Sequence, residues 1–222
     1  MSAPAFVFDA YGTLFNVHAA IDRYRAAVGP DADRFSELWR TKQLEYTWTL
    51  TLAGQYLDFW TLTERALDYA FTRLPSVDRA LRSSLLDAYM TLDAFPDARA
   101  MLRELKLRGR TTAILSNGSP QMLAAAVAAA QLHEDFDAVL SVDLVRMYKP
   151  RPEVYRLVTN QFGVAPADVV FVSSNRWDVM GAGAFGFRAV WVNRAAMPEE
   201  YADQVTPTAV LSDLGSLLAL AD

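Results

Sequence analysis

Short apolar runs rich in β-branched and aromatic residues punctuate the chain at residues 5–8, 111–115, 138–140, 169–172 and 189–192. They show little alternation, the pattern of parallel strands buried on both faces. Helical stripes lie between them. Ala98, Met101, Leu102 and Leu105 fall at i, i+3, i+4 and i+7, and Val154, Leu157, Val158 and Phe162 mark a second stripe. Ser119 and Pro120 read as N-cap and first residue of an Ala-rich helix over 121–131. Strands alternating with helices predict an α/β fold with a doubly wound, Rossmann-like parallel sheet.

One stretch breaks the alternation. Residues 16–96 carry helical periodicity and no convincing strand. Tyr56, Phe59, Trp60, Leu67, Ala70 and Phe71 mark one apolar face, and Phe35, Leu38, Leu44, Trp48 and Leu52 another. The pattern predicts an all-helical cap inserted at 16–96 into a core made of residues 1–15 and 97–222. No internal repeat or flexible linker separates independent domains.

Composition narrows the function classes. The 222 residues are 52% hydrophobic and 21% charged, an ordinary globular balance. The net charge of -5, without a basic run, argues against a nucleic-acid partner. An anionic substrate must then rely on a few well-placed cations. The absence of cysteine removes thiol nucleophiles, disulfides and Cys-based metal sites, and suits a reducing compartment. No export signal opens the chain, and the longest apolar run, residues 122–130, falls far short of the ~20 residues that span a bilayer. A cytoplasmic protein with no membrane partner is expected.

In an open parallel sheet, ligands bind beyond the carboxyl ends of the strands, near the topological switch point. Asp9 follows the first run, in FVFDAYGTLF, and Ser116 and Asn117 follow the second, in AILSNGSP. Lys149 follows the third at some distance, in YKPRPEVY, with Pro150 biasing its backbone to an extended form. The fourth ends in Ser173, Ser174, Asn175 and Asp178, in FVSSNRWD. Singly, each has a plain structural reading. Asp9, Ser116 and Asn117 are turn formers, Asp178 suits a helix N-terminus, Lys149 could be a solvated loop cation, and Arg40 could sit on a solvated helix face. Turn chemistry explains their coincidence at successive strand ends much less easily. His18 and His133 have no partner at metal or triad spacing and read as structural.

FVFDAYGTLF, ILSNGSP, YKPRPEVY and FVSSNRWD, in this order and with the cap segment LWRTKQLEYTW, resemble the haloacid dehalogenase superfamily, and more narrowly its L-2-haloacid dehalogenases (type II). The likeness spans nearly the whole chain. Phosphatases of that superfamily carry D-x-D, where this chain has Tyr11 as the third residue, and an acid for magnesium where it has Ser174. A phosphoryl-transfer site without these groups lacks its proton donor and much of its metal site. A halide leaves as a weak base and needs neither.

The resemblance implies hydrolytic dehalogenation of short-chain L-2-haloalkanoic acids to D-2-hydroxy acids, with inversion at C2 through an ester on Asp9. It gives Thr13 the role of orienting Asp9. Arg40, Asn117 and Trp177 would receive the halide, and Ser116 and Lys149 would receive the substrate carboxylate. Tyr11, Leu44, Phe59 and Trp177 would wall the alkyl group. Asp178 would be the base of the second step, placed with Ser173, Asn175 and Lys149, and Tyr155 would support it by a hydrogen bond or simply pack at a helix start. Thr41 stands where relatives often carry Gln, which bears only on the pocket rim. No metal or organic cofactor is implied, and family members are commonly homodimers. The alternatives are a phosphatase of the same fold and a non-catalytic protein that binds a small anion or a partner.

Overall fold

The computed structural model describes residues 4–221. Its sheet comprises β1 (Ala5–Phe8), β2 (Thr112–Ser116), β3 (Ala138–Ser141), β4 (Val169–Ser173), β5 (Arg188–Val192) and β6 (Ala209–Leu211). The order is β3-β2-β1-β4-β5-β6 and every pairing is parallel. All five apolar runs are strands. The hydrophobic pattern does not mark β6, a three-residue edge strand whose middle residue, Val210, is exposed. The central strands β1, β2 and β4 are buried throughout, as a sheet covered on both faces requires.

Between β1 and β2 the chain forms α1 (Ala19–Arg23), α2 (Arg25–Val28), α3 (Ala32–Leu52), α4 (Phe59–Arg73) and α5 (Arg82–Met90), then α6 (Pro96–Leu107). The later helices are α7 (Pro120–Ala129), α8 (Pro152–Phe162) and α9 (Arg176–Phe185). The α6 stripe Ala98, Met101, Leu102 and Leu105 is buried as its spacing predicts. At α7 the Ser119 side chain accepts from the Met122 N–H at 3.4 Å, with Pro120 first in the helix. The chain leaves and re-enters the sheet layer side by side. Phe95 N–H donates to Leu14 O at 2.8 Å, Asn16 N–H donates to Asp93 O at 2.9 Å, and Phe15 pairs antiparallel with Ala94.

Two of the helical stripes need correction. Tyr56 lies in the loop before α4, which starts only after Asp58 caps it by accepting from Thr61 N–H. On α3 the buried face runs through Phe35, Trp39, Gln43 and Thr47, while Leu52 is 87% exposed. Polar residues hold that inner face because they satisfy one another. Trp39 Nε1 donates to Thr63 O at 2.9 Å, and Gln43 Nε2 donates to Thr63 Oγ1 at 3.0 Å. Leu44 and Trp48 occupy an adjacent face of α3, each lining a cavity shared with the sheet layer.

Candidate active site

β1 sits between β2 and β4, so the three strands' carboxyl ends converge where the sheet order reverses. Asp9 follows β1 directly, anchored by its N–H to Val172 O at 2.9 Å, and is 6% exposed. Four side chains donate to its carboxylate. Lys149 Nζ reaches Oδ1 at 3.1 Å. Thr13 Oγ1 at 3.1 Å, Asn175 Nδ2 at 2.8 Å and Ser173 Oγ at 3.4 Å all reach Oδ2. Thr13 comes within reach because the turn after Asp9 passes through Gly12 at φ +96, a left-handed backbone that glycine adopts without strain.

Lys149 joins this carboxylate to a second one. Its ammonium, fully enclosed, lies 2.8 Å from Asp178 Oδ2 and 5.0 Å from the centre of the Phe171 ring. Burial works against the charged lysine, but Asp178 and Asp9 outweigh it and hold its pKa above the ordinary value. Asp178, in the first turn of α9, is pushed up to about 6 by burial; Lys149 opposes that rise and Asp9 adds to it. Tyr155, on α8, donates to Asp178 Oδ1 at 2.7 Å. Burial and the neighbouring Asp178 raise the Tyr155 pKa well above its usual value, so it acts as a donor. Of the two readings of Tyr155, the hydrogen-bonding one matches this geometry.

The insert supplies the opposite wall. Arg40 is half-buried rather than solvated; its Nη2 donates to Tyr11 O at 3.2 Å while its buried Nη1 has no partner. Tyr11 stacks on Tyr89 at 5.8 Å and 10°, beside Phe59 at 6.1 Å, and its buried hydroxyl is likewise unpartnered. Asn117 is buried at the end of β2, where its Oδ1 accepts from Lys149 N–H at 3.1 Å. Ser116 Oγ accepts from Gly118 N–H at 3.0 Å. Two cavities flank this centre. One of about 360 Å³ is lined by Gly12, Arg40, Leu44, Ser174, Asn175 and Arg194 among others. The other, of about 450 Å³, is lined chiefly by Trp48, Thr51, Tyr148, Lys149, Trp177 and Met180.

Asp9, Thr13, Lys149, Tyr155, Ser173, Asn175 and Asp178 thus form one hydrogen-bonded network, which Arg40 meets through the Tyr11 carbonyl. The four residues read as a single alkyl wall are distributed differently. Tyr11 and Phe59 pack together, whereas Leu44 and Trp177 line separate cavities. Thr41 is exposed. His18 bonds Ser36 Oγ at 2.7 Å, and burial together with Arg40 lowers its pKa; His133 is exposed. Sequence reading placed Trp48 on an apolar face of the insert but not beside Trp177, which it meets edge-on at 5.4 Å, and it missed Tyr148. The signals were present: Trp48 lies two helical turns past Arg40, and Tyr148 precedes Lys149.

Asp9 and Asp178 are both paired with Lys149, whose ammonium lies between them. Ser174 places a neutral hydroxyl on Gly12 O at 2.7 Å where a cation would need a carboxylate. Among the described residues no group of three or more His, Asp or Glu side chains is arranged to hold a metal, and no helix is long and apolar enough to cross a membrane.

A carboxylate bonded to Lys149 thus stands at the end of the first parallel strand, with helices following directly between β1 and β2. Residues 3–186 match the family model described as haloacid dehalogenase-like hydrolase, and the chain belongs to that family. Within it, the chain is 49% identical over 217 residues to (S)-2-haloacid dehalogenase 1 of Pseudomonas sp. (strain CBS-3), covering 96% of each chain. It is 47% identical over 191 residues to (S)-2-haloacid dehalogenase of Xanthobacter autotrophicus, covering 86% of this chain and 75% of the relative. A solved structure of L-2-haloacid dehalogenase from Xanthobacter autotrophicus with chloropropionic acid covalently bound is similar at a TM-score of 0.90 and 40% identity, covering 99% of this chain and 98% of that one.

Proposed function

We propose that this protein hydrolyses L-2-haloalkanoic acids of short chain to D-2-hydroxy acids and halide. The observation that carries the reading is the asymmetric clamp on Asp9. Three donors hold Oδ2 and one holds Oδ1, so the carboxylate is oriented and Oδ1 keeps a lone pair that no hydrogen bond occupies. Enclosure strips its water, which an attacking carboxylate requires.

In the first step Asp9 attacks C2 opposite the halogen. A C–O bond forms, the C–halogen bond breaks with its electron pair, and C2 inverts. The unpartnered Nη1 of Arg40, with Asn117, receives the halide, and preorganised donors of this kind lower the barrier. The substrate carboxylate lies against Ser116, neighbouring N–H groups and Lys149, and Tyr11 and Phe59, which pack together, border its alkyl group. In the second step water attacks the ester carbonyl of Asp9 and Asp178 takes one of its protons; the acyl C–O bond then breaks as Asp178 passes that proton to the departing 2-oxygen, and the remaining acid proton leaves to solvent. C2 is untouched, so the single inversion survives in the product, and Asp9 returns as carboxylate. Lys149, Ser173, Asn175 and Thr13 hold Asp9 throughout, and Tyr155 fixes Asp178. No metal or organic cofactor enters this balance.

In this reading residues 16–96 form a cap that closes over residues 1–15 and 97–222. The protein is also read as cytoplasmic and homodimeric: it contains no cysteine, and Leu52 and Leu144 are exposed in the single chain. Light scattering after size exclusion tests the dimer.

The decisive assay measures chloride and D-lactate from L-2-chloropropionate, beside phosphate release from a phosphate monoester. Chloride release that vanishes in Asp9→Asn supports the reading; ester cleavage alone replaces it with a phosphatase. Over several cycles in heavy-oxygen water, label enters Asp9. A single turnover that labels the product and leaves the protein unlabelled overturns the covalent route.

A further inference from the structure

The loop that carries Lys149 is tied to the helical insert. Tyr148 N–H donates to Thr51 Oγ1 at 3.2 Å, and the Tyr148 hydroxyl donates to Leu57 O at 2.6 Å. The Tyr148 ring stacks on Tyr56 at 5.3 Å and 27°, and the Tyr56 hydroxyl donates to Asp143 on the same loop. Insert residues 51–57 therefore converge on the one residue that precedes the buried lysine. On its other side, Lys149 N–H is held by Asn117.

A lysine ammonium is a point charge on a flexible four-carbon stem, so its position depends on where the backbone begins that stem. Here it must satisfy two carboxylates at 2.8 and 3.1 Å from a fully enclosed position. We propose that Tyr148 is a positioning residue: through Thr51 and Leu57, docking of the insert places the Lys149 ammonium between Asp9 and Asp178. Its catalytic consequence rests on the dehalogenase reading, whereas its geometric content does not. Enclosure of the site and assembly of the charge centre become one event, because the contacts that seat the insert also seat the lysine.

Carboxyl titration of Asp178 reports the position of Lys149 without relying on turnover. The groups facing Asp178 are Lys149, Asp9 and Tyr155, and only Lys149 is moved by the proposed change. The experiment uses the full chain labelled with carboxyl-¹³C aspartate, with Asp178→Asn assigning the resonance. Thr51→Val removes the acceptor, Tyr148→Phe removes the hydroxyl, and Thr51→Ser keeps the acceptor. The Asp178 midpoint is expected to rise by roughly half a pH unit or more in the first two and to match the unmodified protein in the third. Chloride release from L-2-chloropropionate should fall ~10- to 100-fold in the first two, the scale of an ångström of misplacement.

An unchanged midpoint accompanied by a lower Tm overturns the proposal and leaves Tyr148 a packing residue. Should Tyr148→Phe not fold, the Thr51→Val and Thr51→Ser pair decides alone. Absence of chloride release from the unmodified protein would sink the functional reading, while the midpoints still settle the positioning.

Discussion

Lys149 and Asp178 meet at 2.8 Å with neither side chain reaching solvent. Burial raises Asp178 to about 6 against the pull of that lysine. A base must be ionised to accept the proton of water, so ester hydrolysis is expected to decline below about pH 6, by about tenfold per pH unit. Stability runs the other way through this group. The folded carboxyl holds its proton more tightly than an unfolded one near 3.8, so protonation between about pH 6 and 4 adds stability. A pH–rate profile set beside thermal melts checks both signs. A rate that stays level to pH 5 contradicts the assignment of the base.

Replacing Asp178 with Asn separates the two steps. The amide takes no proton, while Asp9 retains its four donors. Alkylation should continue and hydrolysis should slow by ~10²–10⁴, the usual worth of a positioned base. Intact mass after mixing with L-2-chloropropionate should show one adduct per chain, and peptide mapping should place it on Asp9. An adduct that decays at the unmodified rate would remove Asp178 from this role.

The separation of these roles was partly legible in the sequence, for a physical reason. Asp9, Ser116, Ser173 and Asp178 stand at or just beyond the ends of buried strands, and a parallel sheet brings such ends to one edge whatever the loops do. The apolar runs gave every strand except β6, whose three residues at a half-covered edge leave little pattern. The insert was harder. Gln43 and Thr47 lie on the buried face of α3 because hydrogen bonds satisfy them there, so hydrophobic periodicity misplaces that face. Leu44 and Trp177 look equivalent as apolar residues, but only the packing of insert against sheet sends them to different cavities. Tyr148 escaped notice because its hydrogen bonds join it to residues more than 90 positions away.

Gly181 shows how closely α9 approaches Tyr155, which donates to Asp178. A Cβ there would lie 2.5 Å from the Tyr155 hydroxyl and 2.5 Å from Pro150 Cβ. Within an unobstructed helix, Gly→Ala gains ~1 kcal/mol of propensity. Here overpacking, at ~1–3 kcal/mol, opposes that gain. Tyr155 has little room to yield, since Phe171 and Phe187 meet its ring edge-on at 5.7 and 6.0 Å. Gly181→Ala should therefore lower the urea midpoint and slow ester hydrolysis by displacing Tyr155 from Asp178. Unchanged stability and hydrolysis would mean that α9 shifts freely.

Arg40 is the sharpest test of how the insert serves the chemistry. Its Nη2 donates to Tyr11 O at 3.2 Å, and its Nη1 is buried without a partner. An unmet buried donor is unfavourable to folding by ~1–3 kcal/mol, and in the dehalogenase reading the departing halide would meet it. Arg40→Ala should leave stability unchanged or raised while kcat/KM for L-2-chloropropionate falls ~10²–10³, the loss expected when a preorganised donor is removed from developing negative charge. Arg40→Lys should rescue little, because a single ammonium lacks the planar fork needed to hold the Tyr11 carbonyl and present a second donor. Rapid-quench measurement of the first chloride released isolates this step from hydrolysis. If Arg40→Ala released it at the unmodified rate, the insert would enclose the substrate without stabilising the departing halide.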